Sequence, residues 1–553
     1  MSYMKHITSP KNTPQNQPIP GSKQVPNSAG GYAFAVDDWK RLDRWLILGS
    51  QGGSYYAREQ KLTVENADAV IRCIKADGLR AVQRIVEISD SGRAPKNDPA
   101  IMALALAITY GDSATRQAVV DALPQVCRIG THLQHFAEFA NSQRGWGRSL
   151  RRAVANWYVK AKASDIAFQA VKYQQRDGWS HRDLLRLAHP VAPSDDHNIV
   201  FNWIVKGWDS VGEEPHPVKA AQIIWAFERA RHAKPMASEH SQAAKTDATP
   251  SDKRELIKLI TDYRLPREAL PTQWLNDPDV WAAMLPHMGL TALLRNLGNM
   301  SKIGLLVPGN RDTINTVINN LESADQLRKA RIHPIAVLSA MLTYSAGHGV
   351  RGSGQWTPVT RVIDALDVAF YKAFVNVEKT RKRMLLALDV SGSMGAGQVA
   401  GVPGLTPRVA SAVMSLVTAA TETDYEMVAF SHEMQRIDIS PRQRLDDVVK
   451  TISAIPMGGT DCALPMLWAL KNKVQADAFV VYTDSETWYN KAIHPVQALR
   501  DYRKKMNPKA KLIVVGLVSN GFTIADPDDA GMLDMVGFDS AAPQLIGNFV
   551  AEN

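Results

Sequence analysis

Five oxygen-bearing side chains in the last third of the chain are spaced to hold a hard cation. Asp389-Val390-Ser391-Gly392-Ser393 ends the apolar run Met384–Val390, Gly458-Gly459-Thr460-Asp461 forms a glycine turn ahead of a helical stretch, and Thr483-Asp484-Ser485 ends the run Ala478–Thr483. Asp389, Ser391, Ser393, Thr460 and Asp484 offer carboxylates and hydroxyls and no soft donor, a set that suits Mg²⁺ or a similar divalent ion. Alternate positions of a strand end can turn toward one point, and Gly392 lets the loop bend with no side chain in the way. The competing reading is a Ser/Gly loop that only caps a helix.

A second group suits phosphates. A helix running on from Gly145-Trp146-Gly147 would carry Arg148, Arg151 and Arg152 on one face, with Arg144 one turn earlier. Arg182, Arg186 and His189 repeat the spacing, and Lys172 and Arg176 lie one turn apart just before them. Guanidiniums stay charged and present fixed donor forks to phosphate oxygens. The acids between the clusters are few: Asp165, Asp177 and Asp183. A solvated basic helix face is the plainer alternative. Trp146, Trp157 and Trp179 lie among these residues and could stack on bases, but packing is the expected role of such large aromatics.

The elements that must position these groups fall into two architectures. From about 35 to 380 the pattern is helical, as in Pro99–Tyr110, Thr115–Leu123, Val218–His232 and Ala336–Thr343, with short Gly, Pro, Asp or Asn breaks. More than 300 residues of short helices predict a stacked helical array. Ala237–Lys253 reads as an exposed loop within it. Beyond 380, strands at Met384–Val390, Met427–Phe430, Ala478–Thr483 and Leu512–Leu517 alternate with helices at Val409–Thr421, Leu445–Ile455, Ala463–Lys473 and Val496–Lys505. That alternation predicts a mainly parallel sheet with helices on both faces, whose ligand site lies beyond the carboxyl ends of the strands. Residues 1–30, with five prolines, three lysines and no acid, read as a flexible polar tail.

The charge divides the same way. Residues 381–553 hold 17 Lys and Arg against 19 Asp and Glu, so the net charge of +9 comes wholly from residues 1–380. That suits a polyanion partner, nucleic acid above all, and the plainer alternative is a basic surface kept for solubility. No apolar run approaches the roughly 18 residues needed to cross a bilayer. Three cysteines, Cys73, Cys127 and Cys462, make neither a disulfide framework nor a zinc cluster, and a reducing cytoplasm is the simplest setting.

Both halves resemble known families. Asp389-x-Ser391-x-Ser393 with Thr460 and Asp484 in order resembles the metal-ion-dependent adhesion site of von Willebrand factor A domains, over roughly residues 381–553. The resemblance implies that Ser391 and Ser393 bind the ion directly, that Thr460 adds a hydroxyl, and that Asp389 and Asp484 act directly or through water. Trp45–Tyr56 (WLILGSQGGSYY), Gly145–Arg148, Lys172-Tyr173, Arg176–Leu187 and Leu294–Gly298 resemble the TROVE module of the Ro ribonucleoproteins, bacterial members included. It implies a ring of HEAT-like helical repeats over 31–380, closed by the A domain. It also implies a monomeric RNA-binding protein that holds small structured, Y-like noncoding RNA on the outer surface. Single-stranded ends of misfolded RNA would pass into the central hole, for quality control with an exoribonuclease as partner. Lys172, Arg176 and His189 stand where the family motif carries RNA contacts, and His181 joins the candidate set from the same motif.

An enzyme is the rival class. No Walker A sequence, GxGxxG after a strand, HExxH or Cys/His zinc spacing occurs. Thr343–Gly347 lacks the first glycine of a nucleophile elbow and follows a helical run. Asp526, Asp528 and Asp529 read as a solvated turn. A Mg²⁺-dependent RNA-processing enzyme and a protein-interaction adaptor acting through the A domain are the alternatives to a non-enzymatic scaffold.

Overall fold

Helices in the N-terminal two-thirds begin and end where the sequence supplies caps. Asp77 caps Gly78–Asp90, Asp112 caps Ser113–Val126 and Ser194 caps Asp195–Lys206, each through a side chain that accepts from a first-turn N–H. Gly49 and Gly145 end two others, and Gly207 ends Asp195–Lys206, at φ of 66°, 76° and 76°, a conformation a side chain would resist. These boundaries belong to a computed structural model that describes residues 12–49, 59–208, 211–233, 251–349, 354–374, 379–399, 405–489 and 493–551. Residues 50–56 of the Trp45–Tyr56 motif and 237–250 of the expected loop lie outside the described residues, while Lys253 already sits in helix Ser251–Tyr263.

Several helices of the first repeats pack on the next but one. Gly78–Asp90 lies on Ser113–Val126, which lies on Arg148–Lys160, which lies on His181–Ala188; in the other layer Asp98–Tyr110 lies on Gly130–Arg144. This two-layer stack is the helical-repeat array expected from the pattern. Its ends meet. Arg331 donates to Asp90 at 2.6 Å and His333 Nε2 lies 3.0 Å from the Arg93 carbonyl, across 240 residues of sequence. The C-terminal domain holds the same seam: Arg93 binds both oxygens of Asp539, at 2.5 to 3.1 Å. On the last helix of the array, Thr360–Lys372, Asp364 pairs with Arg444 at 2.7 Å. The array therefore closes directly on itself, and the A domain clasps the junction.

Eleven strands are described: β1 Gln24–Pro26, β2 Tyr32–Ala35, β3 Gln175–Arg176, β4 Trp179–Ser180, β5 Met384–Asp389, β6 Tyr425–Phe430, β7 Met434–Arg436, β8 Ala478–Thr483, β9 Lys511–Gly516, β10 Phe522–Thr523 and β11 Met532–Val536. The main sheet has the order β11-β9-β8-β5-β6-β7, parallel except at the β7 edge. Its inner strands β5, β8 and β9 are buried on both faces. Leu386 and Leu388 join the core that runs through the helical array, whereas Leu385 and Ala387 pack into a second core under the opposite helices. Among the described residues no helix is long and apolar enough to cross a membrane.

The flexible tail expected over 1–30 is corrected from Asn12 onward. Gln15 is fully buried, β1 pairs with β2, and β2 pairs with β10 of the C-terminal domain. Its polar side chains find partners 450 residues away rather than water, which composition cannot reveal.

Candidate metal centre and nucleic-acid interface

β5 and β8 are neighbours, so Asp389 and Asp484, at and just past their carboxyl ends, emerge side by side. Gly392 N donates to the Gly458 carbonyl at 3.0 Å, which brings the Gly458–Asp461 turn against the Asp389–Ser393 loop. All five expected cation ligands are buried: Asp389 0 %, Ser391 0 %, Ser393 3 %, Thr460 1 % and Asp484 2 % exposed. Ser391 N donates to Asp389 Oδ1 at 2.9 Å and Thr483 Oγ1 to Asp389 Oδ2 at 2.6 Å. The Ser391 and Ser393 hydroxyls lie 3.2 Å apart. Asp484 Oδ2 is buried with no hydrogen-bond partner.

Two carboxyls in one dry site repel each other when charged. Burial, then the charge of Asp484, pushes Asp389 up to about 7, and burial raises Asp484 as well. Burial lifts Asp461 to about 6, and burial with Asp484 beside it lifts Glu486 to about 7. A divalent cation among these oxygens would relieve both the repulsion and the orphaned Asp484 oxygen. The donor set fits such an ion. Asn520 supports the site from behind, donating to the Asp484 carbonyl at 2.7 Å while its own carbonyl groups accept from Arg44 at 2.6 and 3.0 Å. Glu486 and Asn520 were not foreseen, since nothing in local spacing joins Asn520 to Asp484.

The basic residues spread over neighbouring repeats. Arg144, Arg148, Arg151, Arg152, Arg176, Arg182, Arg186 and His189 are all exposed, and Lys172 is half-buried over the Tyr173 ring at 5.2 Å. Arg151 Nε reaches the Ala188 carbonyl at 3.2 Å, tying helix Arg148–Lys160 to the end of His181–Ala188. Arg152 leans the other way, to Gln117 at 2.7 Å. Arg176 ends the first strand of the β3–β4 hairpin that feeds directly into helix His181–Ala188, and His189 ends that helix at φ of 47°. Asp177 and Asp183, the nearby acids, are engaged with His135 and with the Ser180 capping box. Arg148, Arg182 and Arg186 have no ion-pair partner among the described residues. Arg144 and Arg148 also share a cavity of about 220 Å³ with Arg116, Gly145, Gly147 and Ser149. Arg116 sits on helix Ser113–Val126, too far along the chain for any local spacing to signal it.

His181 is corrected. It is 3 % exposed, its Nδ1 lies 2.7 Å from the Tyr158 hydroxyl, and burial depresses it to about 4. As the first residue of its helix it turns inward beside Trp157, where RNA cannot reach it. The tryptophans pack as expected: Trp157 is buried, while Trp146 and Trp179 stack on each other at 5.5 Å. Thr343–Ser345 ends helix Pro334–Ser345 and is no strand-to-helix elbow. Of the C-terminal acids, Asp528 pairs with Lys23 and Asp529 with Arg503.

Known proteins share this arrangement. The TROVE domain profile matches residues 25–345, and the profile of the Ro60 vWA domain matches residues 383–550. RNA-binding protein RO60 of Deinococcus radiodurans is 44% identical over 550 residues, covering 99% of both chains. RNA-binding protein RO60 of Caenorhabditis elegans is 35% identical over 95% of this chain and 90% of its own. The crystal structure of the Deinococcus radiodurans RO (RSR) protein superposes with a TM-score of 0.68 at 43% identity, covering 93% of this chain and 99% of that one.

Proposed function

The chain belongs to the Ro family, and on that footing we propose that it is a non-enzymatic RNA-binding scaffold. It holds a small structured, Y-like noncoding RNA on the exposed basic face of helices Arg148–Lys160 and His181–Ala188. Single-stranded ends of misfolded RNA enter the opening of the closed array and are presented for decay, with an exoribonuclease as partner. The protein acts in the cytoplasm as a monomer within the ribonucleoprotein.

One observation carries this reading. Several arginines of the array pair with acids, as Arg72 does with Asp38, Arg84 with Asp43 and Arg229 with Glu255, while others, such as Arg254, Arg295 and Arg311, are scattered and exposed without an ion pair among the described residues. Arg148, Arg182 and Arg186 stand exposed on adjoining helices without such partners among the described residues, as phosphate recognition requires. That relatives matching nearly the whole chain are named RNA-binding proteins supports the same reading. Asp389, Ser391, Ser393, Thr460 and Asp484 would hold Mg²⁺, which supplies an open coordination position for an acidic group of a partner. A two-metal hydrolytic centre needs several carboxylates or imidazoles at one point. Among the described residues no three His, Cys, Asp or Glu side chains gather that way.

Closure of the array at Asp90–Arg331 makes the threading testable. The full chain is titrated with equal-length RNAs carrying a 3′ single-stranded tail, a blunt duplex, or the tailed sequence circularised. Tailed RNA should bind best, and its advantage should survive salt that screens non-specific contacts. Equal binding of circular and tailed RNA would replace threading with a surface groove.

A further inference from the structure

The segment that composition marks as a tail lies across the loops of the candidate metal centre. Its first turn is fixed by Thr13 N, which donates to Gln497 Oε1 at 3.0 Å, and by a bridge from Pro14 to Ile493. Gln15 follows, fully buried. Its Nε2 donates to Asp461 Oδ1 at 2.7 Å and to the Ile493 carbonyl at 2.9 Å, and its Oε1 accepts from Thr487 Oγ1. One amide thus joins the residue after Thr460 to a residue three beyond Asp484. Further along, Asn27 Nδ2 donates to the Thr487 carbonyl at 2.7 Å, and the N–H groups of Ser28 and Ala29 donate to Glu486 Oε2 at 3.0 and 3.2 Å. Gly31 then passes so close that a Cβ there would lie 1.9 Å from the Thr487 carbonyl oxygen.

These contacts concentrate on two of the three loops that supply cation ligands. The loops are also stitched to each other where the segment grips them: Cys462 N donates to Thr487 Oγ1 at 3.3 Å, and Trp488 N to the Thr460 carbonyl at 3.4 Å. The third loop, Asp389–Ser393, is held by the sheet and by Gly458 instead. Groups that orient ligands without touching the ion commonly set its affinity.

We propose that residues 12–31 are a built-in clamp on the metal centre, with Gln15 as the positioning residue that fixes the Thr460 and Asp484 loops in register. The proposal rests on the reading of Asp389, Ser391, Ser393, Thr460 and Asp484 as a divalent-cation site. It makes the ion's affinity a property of the whole chain, because the clamp lies more than 440 residues from the loops it holds.

The test uses the full-length protein and Mn²⁺ as probe, followed by electron paramagnetic resonance. Gln15→Ala should weaken Mn²⁺ binding by about 10-fold, the lower end of what losing a ligand's own hydrogen-bond partner costs, because Gln15 holds the ligand loops rather than a ligand. Gly31→Val, which must lift the segment from Thr487, should do the same. Asp389→Ala separates the two claims: undiminished Mn²⁺ binding in that variant removes the cation site itself. Hydrogen exchange without metal is the second readout. In Gln15→Ala the amides of 457–462 and 484–489 should exchange faster, while helix Ser113–Val126 keeps its protection. That local pattern distinguishes a clamp from general destabilisation. Wild-type Mn²⁺ affinity within twofold in both clamp variants, or unchanged exchange in the two loops, would overturn the proposal.

Discussion

Replacing Arg44 should show that the helical array and the A domain fold as one unit. Arg44 lies on helix Asp38–Leu48 of the array, yet it is 1 % exposed and binds only C-terminal partners. Its Nη2 meets both oxygens of Asp534 at 2.9 and 3.1 Å, and its Nη1 meets the Asn520 carbonyl, the Asn520 side chain and the Phe522 carbonyl. Arg44→Met removes the guanidinium at similar length and leaves the Asp534 carboxylate, 3 % exposed in its side chain, without a counter-charge. Breaking one side of a buried pair costs about 3–5 kcal/mol, mostly the penalty of the stranded charge. Removing both charges, in Arg44→Met with Asp534→Leu, should therefore recover most of that loss. The assay is urea unfolding followed by tryptophan fluorescence, with midpoints compared at equal slope. A single variant within about 0.5 kcal/mol of wild type, or a double variant less stable than the single, would refute the reasoning.

Three further outcomes follow from the structure. Asp389→Ala should abolish divalent-ion binding, measured by titration calorimetry, while structured-RNA affinity stays within a few fold, because the two sites lie in different domains. Acid should destabilise the fold through His333, 3 % exposed, which burial depresses to about 4 and whose Nδ1 accepts from Ile335 N. The unfolded chain takes up that proton near the ordinary pKa of about 6.5, so the contribution is complete above that pH and drains away as pH falls toward 4. The loss is on the order of 2 kcal/mol by pH 5. His333→Asn, which can keep the cap acceptor, should have a shallower loss of urea midpoint between pH 8 and pH 5. Finally, His181→Ala should lower stability with little direct effect on RNA, whereas His189→Ala should weaken RNA binding with an unchanged melting curve. The reverse assignment would return His181 to the RNA surface.

Much of the A domain was legible because a parallel strand buried on both faces writes itself as an apolar run, as Met384–Asp389 and Ala478–Thr483 do. The edge strand Met532–Val536 was not foreseen, since Asp534 breaks its run, and that aspartate is there to meet Arg44. Four of the five expected cation ligands could be named because they lie at or just past the ends of Met384–Asp389 and Ala478–Thr483, and Thr460 because a glycine turn precedes it. The amide that clamps their loops could not, because Gln15 finds Asp461 only through the fold. Likewise the i, i+3, i+4 spacing placed Arg148, Arg151 and Arg152 on an exposed face, but it could not say that Arg116 shares the Arg144 cavity. His181 shows the opposite failure: its motif neighbours are exposed, while the first helical position turns its ring into the core. Closure of the array was inherited from resemblance, and the contacts that make it, Asp90 to Arg331 and Arg93 to Asp539, span separations no local pattern encodes.

The most direct test of the RNA-scaffold reading is the salt dependence of affinity for a small structured RNA, in wild type and in the triple variant Arg148→Glu, Arg182→Glu, Arg186→Glu. Each phosphate neutralised on a duplex adds about 0.9 to the slope of log affinity against log salt, so losing three contacts should flatten the slope by about 2 to 3. Affinity should fall at every salt concentration, with the melting curve unchanged because these side chains are exposed. An unchanged slope with unchanged affinity would mean that the three arginines are a solvated face and that RNA, if bound at all, is held elsewhere.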